Sequence, residues 1–465
     1  MMVFMACKRD PNNNYPPDNT DVELTSTNLP IVWIEVKDRT IDRYQRIDAY
    51  MKIIDNGKGR LNYADLEQYP DQRVDYEGHV ALRYRGNSTF NDSPKKPISF
   101  RTLDQPMKYA SKQKVKILGM GKDDNWALLA PYSDRSMMRN MLAYELARPW
   151  MEYAPHGRFC EVFIDGTYYG VYILCEVVSK GKHRLNLASP KKTGDALTGD
   201  YLIEVDYDDD VHYRSKHHPV DSNGRPLTNR FIHIQYKSPN PDDLNKAQIQ
   251  YINSRFDQME DALASPGYRD PVTGYSKYID VMSFIDYQLA MELGHNVDGY
   301  RKSCKLYKRR DSVDGRFKTV VWDMNLAYGN CNLHDGWRTD GWVYECNDLL
   351  YAHGEDFLIP FWWGRLNADE NYQRMLRERW AQYRSTTLTE DHVMAVIDSL
   401  ANELTVQGAI ERNSQAWPRW GVWVWPNHYV SKDFNDEVSF LKQWLHDRIA
   451  WMDQALGFKD PNLTN

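Results

Sequence analysis

The sequence predicts an α+β fold in which a β-rich first half and a helix-rich second half form two lobes of one unit. Short alternating apolar runs cut by Gly, Pro, Asn and Asp turns dominate up to about residue 240, and apolar residues spaced three and four apart dominate after it. Across 465 residues, a hydrophobic content of 42% is enough for a sizeable core.

The first expected strand is "LPIVWIEV", rich in β-branched residues, and "HVALRYRG" follows as an alternating strand ending at Gly86. "KKPISFRT" and "KVKILGM" continue the series. In "DRSMMRNMLAYELARPW", Met138, Met141, Leu142 and Leu146 recur at helical spacing, with Asp134 or Ser136 to cap and Pro149 to stop. Asp165-Gly166 lies between two apolar runs in "FCEVFIDGTYYGVYILCEVV" and predicts a hairpin. "GDYLIEVDY" and "RFIHIQYK" add strands. The chain then turns helical through "PDDLNKAQIQYINSRFDQMEDALAS" and "YIDVMSFIDYQLAMELGHN", where Met282, Ile285, Leu289 and Leu293 form an apolar stripe. "SCKLYKRR" and "RFKTVVWD" read as strands around the turn "DSVDG". The last helix carries Leu441, Leu445, Ile449, Met452 and Leu456.

A net charge of -7 and a pI near 6.0 supply no global basic field, so nucleic acid is not an expected partner. No run reaches the length of a membrane span. The start, "MMVFMACKRDPNNNYPPDNTD", resembles the clipped end of a bacterial lipoprotein signal, with Cys7 as the lipid-bearing residue and a polar tether after it. Residues 1–28 are thus expected to be signal remnant and tether, 29–240 the β-rich lobe and 241–465 the helical lobe. Membrane contact would come only through a lipid anchor, at the cell envelope, and a monomer is expected. Cys160, Cys175, Cys304, Cys331 and Cys346 show no C-x-x-C spacing, so zinc is not supported; a Cys331–Cys346 disulfide stays open.

Two constellations carry chemistry. "RYRGNSTFNDSPKKPISFR" gathers Arg83, Arg85, the Gly86-Asn87-Ser88-Thr89 turn and Lys95-Lys96, a set that suits a polyphosphate, although composition alone favours a solvated hairpin. In "ELGHNVDGYRKSCKLYKRRDSVDGRFKTVVWDMNLAYGN", Asp298 sits in a turn after a helix and Asp323 emerges 25 positions later, past a hairpin. Kinases place one carboxylate by the attacking oxygen and another on the metal in that order.

The segments "RYRGNSTFNDSPKKPISFR", "DNWALLAPYSDRSMMRNMLAYELAR", "YYGVYILCEVVSKGKHRLNL", "GDYLIEVD", "NVDGYRKS" and "WDMNLAYGN" resemble, in order, the motifs of the spore coat protein CotH family of atypical kinases. The resemblance runs from about Leu29 to Phe458, and such proteins also occur in the envelope of bacteria that make no spores. It implies a divergent protein-kinase-like two-lobe fold and ATP-dependent phosphorylation of protein Ser or Thr with Mg2+ or Mn2+. By motif, Asp298 would be the catalytic-loop aspartate and Asp323 the metal ligand. Lys95 or Lys96 would touch nucleotide phosphates with Arg85 and Ser88 nearby, and Glu176 would lie toward the adenine hinge. Arg139 and Asn140 match the family's helix-borne pair. Two positions depart from kinase usage: Ser303, five after Asp298, and Asn325, two after Asp323, each keeping an oxygen that a hard cation accepts.

The alternative from another class is an inactive, pseudokinase-like surface lipoprotein that binds glycan or protein. "WPRWGVWVWP", with Trp417, Trp420, Trp423 and Trp425, is read as packing onto the C-terminal helix, and a row of exposed rings would support that alternative. "EVDYDDD", holding Glu204, Asp206, Asp208, Asp209 and Asp210, lacks the glycine and distal Glu of an EF-hand and is read as a solvated acidic turn. His217 and His218 are read as loop. No Walker A, G-x-G-x-x-G or G-x-S-x-G pattern occurs.

Overall fold

The computed structural model describes residues 22–37 and 39–459. Cys7 lies outside them. The strands in chain order are β1 (Ser26–Thr27), β2 (Ile31–Glu35), β3 (Ile47–Ile54), β4 (Asn62–Tyr63), β5 (Val74–Tyr84), β6 (Ile98–Thr102), β7 (Asn125–Leu129), β8 (Gly157–Ile164), β9 (Thr167–Glu176), β10 (Tyr201–Val205), β11 (Tyr213–Arg214), β12 (His233–Ser238), β13 (Cys304–Lys308) and β14 (Lys318–Val320).

Seven of these close a barrel in the order β2-β3-β5-β6-β7-β9-β8, sealed by the parallel pairing of β2 with β8. Inward residues such as Val32, Ile34, Met51, Leu82, Phe100, Trp126, Val162 and Leu174 fill it. The β8–β9 turn forms at Asp165-Gly166, both at positive φ (46° and 78°), as an Asp-Gly hairpin requires. The "KVKILGM" segment is no strand: only Val115 bridges, to Asp123, and β7 follows later.

A second, antiparallel sheet runs β11-β12-β10-β13-β14. Its central strand β10 pairs with β13, so the strands between residues 201 and 238 join the half that carries Asp298 and Asp323 rather than the barrel. The sequence boundary at 240 is therefore misplaced. Alternating residues are equally at home in either sheet, and only long-range pairing decides between them. The halves also interlock at the far end, where the helix Ala409–Ala416 returns to lie on β9.

The helix Val281–Gly294 is capped by Asp280, whose carboxylate accepts from Ser283 N at 3.1 Å, and ends at His295 in the left-handed region (φ 43°). That end turns the chain into the Asp298 loop. Met282 stays exposed at the stripe's first turn, whereas Ile285, Leu289 and Leu293 are buried. Beside it lies the helix Arg139–Ala147, whose Arg139 N–H is taken by Asp134 at 2.9 Å. Among the described residues Cys160, Cys175, Cys304, Cys331 and Cys346 are free thiols, which removes the Cys331–Cys346 pairing. No described helix is long and apolar enough to cross a membrane.

Candidate active site

The barrel and the second sheet face each other across a polar cleft of about 1600 Å³, measured out to bulk solvent. One wall is cationic: Arg43, Arg83, Arg85 and the turn from Gly86 to Thr89. The other carries Glu204, Asp206, Asp209, Asp210, Lys237, Lys302 and Lys305, with Asp298 and Asp323 between them. A narrower cavity of about 860 Å³ lies behind, with Leu129, Tyr132, Tyr144, Ile173 and Trp425 in its walls. The two share Arg85, Gly86, Ser88, Thr89, Trp322, Asp323, Asn325 and Leu326, so Asp323 stands at the neck joining them.

The turn is shaped by Gly86, at φ 88°, where a Cβ would stand 2.1 Å from Thr89 Oγ1. Arg85 lies over the Trp322 ring at 5.3 Å and Lys305 Nζ at 5.9 Å from the same centroid. Trp322 in turn stacks on Tyr144 at 6.1 Å. The apolar run that precedes Asp323 is thus a platform that draws cations to the carboxylate's side.

Asp323 adopts a left-handed backbone (φ 58°), a conformation costly for a residue with a Cβ and held here by neighbours on both sides. Asn296 Nδ2 donates to its carbonyl at 3.2 Å, and Asn140 Oδ1 accepts from the next N–H, Met324, at 2.7 Å. The carboxylate reaches the cleft's water, yet protein crowds it from every other side. That crowding raises its pKa; Arg85 opposes the rise, and Asp298 adds to it. Among described residues it has no hydrogen-bond or ion-pair partner.

Asp298 is held differently. Its Oδ1 takes a hydrogen bond from Arg301 Nη2 at 2.6 Å and lies 3.5 Å from Lys302 Nζ. Ser303, at φ 55°, lines the same cleft, and its N–H donates to Asp206 Oδ1 at 3.3 Å.

The family's helix-borne pair divides its work. Asn140 steadies the Asp323 loop as above. Arg139, fully buried, is paired with Asp134 and Glu437 (2.7 and 2.8 Å) and donates to the carbonyls of Ala327 and Tyr328, so it anchors the chain after Asp323 rather than a ligand.

Several expected residues lie away from the cleft. Lys95 is buried with its Nζ on Val171 O and on Asn413 Oδ1 at 2.9 Å, over the Tyr172 ring; with no carboxylate partner among the described residues, burial drives its pKa well down. Lys96 Nζ is bonded to Phe90 O and covers that ring. Neither lysine lines either cavity. Glu176 turns inward to accept from Tyr153 Oη and His156 N, each at 3.1 Å, while the next residues, Val177, Val178 and Ser179, reach the cleft.

"EVDYDDD" is not a solvated turn throughout. Glu204 is buried in β10 against Lys305 and Lys237; burial works to raise its pKa, but the two lysines prevail and bring it to about 2. Asp206, two residues on and facing the same way, is pushed up to about 7 by burial and by the Glu204 charge. The tryptophans form no row: Trp417 is buried with its Nε1 on Tyr169 O, Trp425 lines the inner cavity, and Trp423 stands exposed. Trp417 lies over β9 and edge-on to Tyr132, whereas Trp420 lines a surface pocket with Phe434 and Asn435 at the start of the C-terminal helix. His217 sits near Asp261 (2.8 Å) and His218 bonds Arg230 O, outside the cleft.

Lys305, Lys237 and Lys302 escaped the sequence reading. For Lys305 the signal was strand alternation: Glu204 on β10 and Asp206 just past its end line the cleft together, and the register places Lys305 directly opposite Glu204.

Among the described residues no three His, Cys, Asp or Glu side chains are grouped as a metal cage. The donor set still suits magnesium, which takes one or two carboxylates and leaves the remaining positions to water and phosphate oxygens. Asp323 offers an unpartnered carboxylate, and Asn325 and Ser303 offer neutral oxygens on the same cleft.

Two aspartates after a helix and a hairpin, on a cleft lined by a Gly-bearing turn, define a kinase-like class. A family profile for the CotH kinase protein matches residues 82–452, most of the chain, and the chain belongs to that family. No curated protein matches it.

Proposed function

We propose that this chain transfers the γ-phosphate of ATP to a Ser or Thr hydroxyl of a protein. The observation that carries the reading is the convergence of Asp298 and Asp323 on one cleft whose opposite wall presents Arg43, Arg83, Arg85 and the Ser88 and Thr89 hydroxyls. The cationic wall and Lys305 suit the phosphates, and Val177 to Ser179, at the exit of β9, suit the base. Lys95, Lys96 and the Glu176 side chain have no part in it.

In this reading Asp298 accepts the proton of the acceptor hydroxyl. The hydroxyl oxygen bonds to the γ-phosphorus as the bond to the β–γ bridging oxygen breaks, and ADP leaves with that electron pair. Asp323, aided by Asn325 and Ser303, would hold magnesium or manganese. When bound, the ion offsets charge on the phosphate oxygens. Placement at the cell envelope, an envelope or secreted acceptor protein and action as a monomer complete the proposal, the first on the strength of the Cys7 segment.

The test is transfer of labelled γ-phosphate, with magnesium or manganese, to the protein itself and to a Ser-rich test protein. Incorporation by the natural chain, lost in Asp298→Ala and Asp323→Ala, is the expected result. No incorporation together with no ATP-induced thermal shift overturns the reading.

A further inference from the structure

Around Asp298 lies a set of charges of which Arg301, Glu355 and His334 do not line the cleft. Arg301, 2% exposed, spends its donors in four directions. Its Nε bonds Val297 O at 2.9 Å and its Nη2 bonds Asp298 Oδ1 at 2.6 Å. Its Nη1 bonds Glu355 Oε2 at 2.7 Å and Phe357 O at 2.9 Å. Lys302 Nζ stands 3.5 Å from the same Asp298 oxygen and 3.6 Å from the same Glu355 oxygen. Two cations are thus shared by two carboxylates, of which only Asp298 lines the cleft.

Glu355 comes from a separate segment, beyond the helix Asn347–Ala352. Its second oxygen is held by His334 Nε2 at 3.0 Å, and His334, itself 7% exposed, has its Nδ1 3.1 Å from His353 Nδ1. Both oxygens of Glu355 are therefore committed, whereas Asp298 Oδ2 makes no hydrogen bond or ion pair with a described residue.

We propose that Glu355 is a positioning residue for phosphoryl transfer. It clamps Arg301 and Lys302 so that they grip Oδ1 of Asp298 and leave Oδ2 turned to the acceptor hydroxyl. An arginine fork fixed at both ends cannot swing, and the carboxylate it holds keeps one rotamer. Without the Glu355 charge, both cations are free to move onto Asp298, which covers the proton-accepting oxygen and displaces it. Displacements near 1 Å at a reacting group cost on the order of 100-fold in rate.

This proposal rests on the kinase reading, and its test separates the two. Steady-state transfer is measured for the natural chain, Glu355→Gln and Arg301→Lys, with thermal melting of each. Arg301→Lys keeps the charge but cannot span both carboxylates, so it carries the test independently of how Glu355→Gln folds. The expected result is a fall in kcat of roughly 10- to 100-fold in both variants, with KM for ATP within about twofold. An unchanged kcat, or a rise in KM that accounts for the loss, overturns the role of Glu355 while leaving the kinase reading in place. A natural chain that transfers no phosphate sinks the kinase reading, and this inference with it.

Discussion

Asp298 arrives at the cleft with Arg301 and Lys302 already on one of its oxygens, whereas Asp323, on the same cleft, has no partner among the described residues on either. The contrast extends to the backbone. The Asp298 loop is reached through a left-handed His295, so strain is taken up ahead of the aspartate; in the Asp323 loop the aspartate itself is left-handed, and Asn296 and Asn140 pin the peptides around it. A carboxylate that must accept a proton in one orientation profits from being gripped. One that must take a cation profits from being left empty, and its raised pKa records that cost.

The sharpest way to break this comparison is to remove each charge without changing shape. Asp298→Asn is expected to lose roughly 10²- to 10⁴-fold in transfer while keeping the thermal shift given by magnesium and ATP. Asp323→Asn is expected to lose transfer to a similar degree together with the metal dependence of that shift. Calorimetry and labelled transfer on the two proteins read this directly, and identical binding profiles would abolish the distinction between the loops.

A smaller effect is expected at Arg85, which shares the Trp322 face with Lys305. Arg85→Ala should raise KM for ATP about tenfold, as loss of one charge-assisted contact does, with kcat less affected.

Glu260 supplies a third kind of carboxylate for contrast: buried, hydrogen-bonded to Ser215 Oγ (2.5 Å) and Trp362 Nε1 (2.8 Å), and in no ion pair with a described residue. Burial pushes its pKa up from 4.5 to about 8. In that window the folded protein keeps a proton that the unfolded chain has released, so stability falls as pH rises from about 4.5 to about 8 and is level above. Glu260→Gln, which lacks that dependence, should melt roughly 2–4 °C higher than the natural chain at pH 8 and nearly with it at pH 4.5. A melting gap that does not change with pH would contradict it.

The smallest effect is expected at Lys95→Met. Because its ammonium is enclosed by Val171 and Asn413, KM for ATP should stay within about twofold. A tenfold rise would return that lysine to the phosphates.

What could be read from the sequence follows the range of the physics behind each feature. The Asp165-Gly166 hairpin and the helix leading to Asp298 depend on neighbours a few residues away, and the structure carries both; it also puts Asp298 and Asp323 on one cleft. The strand "YLIEVD" depends on partners about a hundred positions distant. Its charges looked like a solvated turn because nothing local reveals Lys305 across the register. The lysine pair went astray for a related reason: a Lys beside a glycine turn is a plausible phosphate ligand until the fold supplies Asn413, from the other end of the chain, to receive it.

The parallel β2–β8 seam has a consequence for handling the protein. The family match begins at residue 82, inside β5, whereas the seam is made by residues 31–34 of β2. Trimmed to the matched region, the chain would keep β6, β7, β9 and β8 as an open four-stranded ribbon with two raw edges. The inner faces of Phe100, Trp126 and Val162 would then meet water, the circumstance in which sheets recruit one another into aggregates. The matched stretch therefore omits the strands that close the barrel.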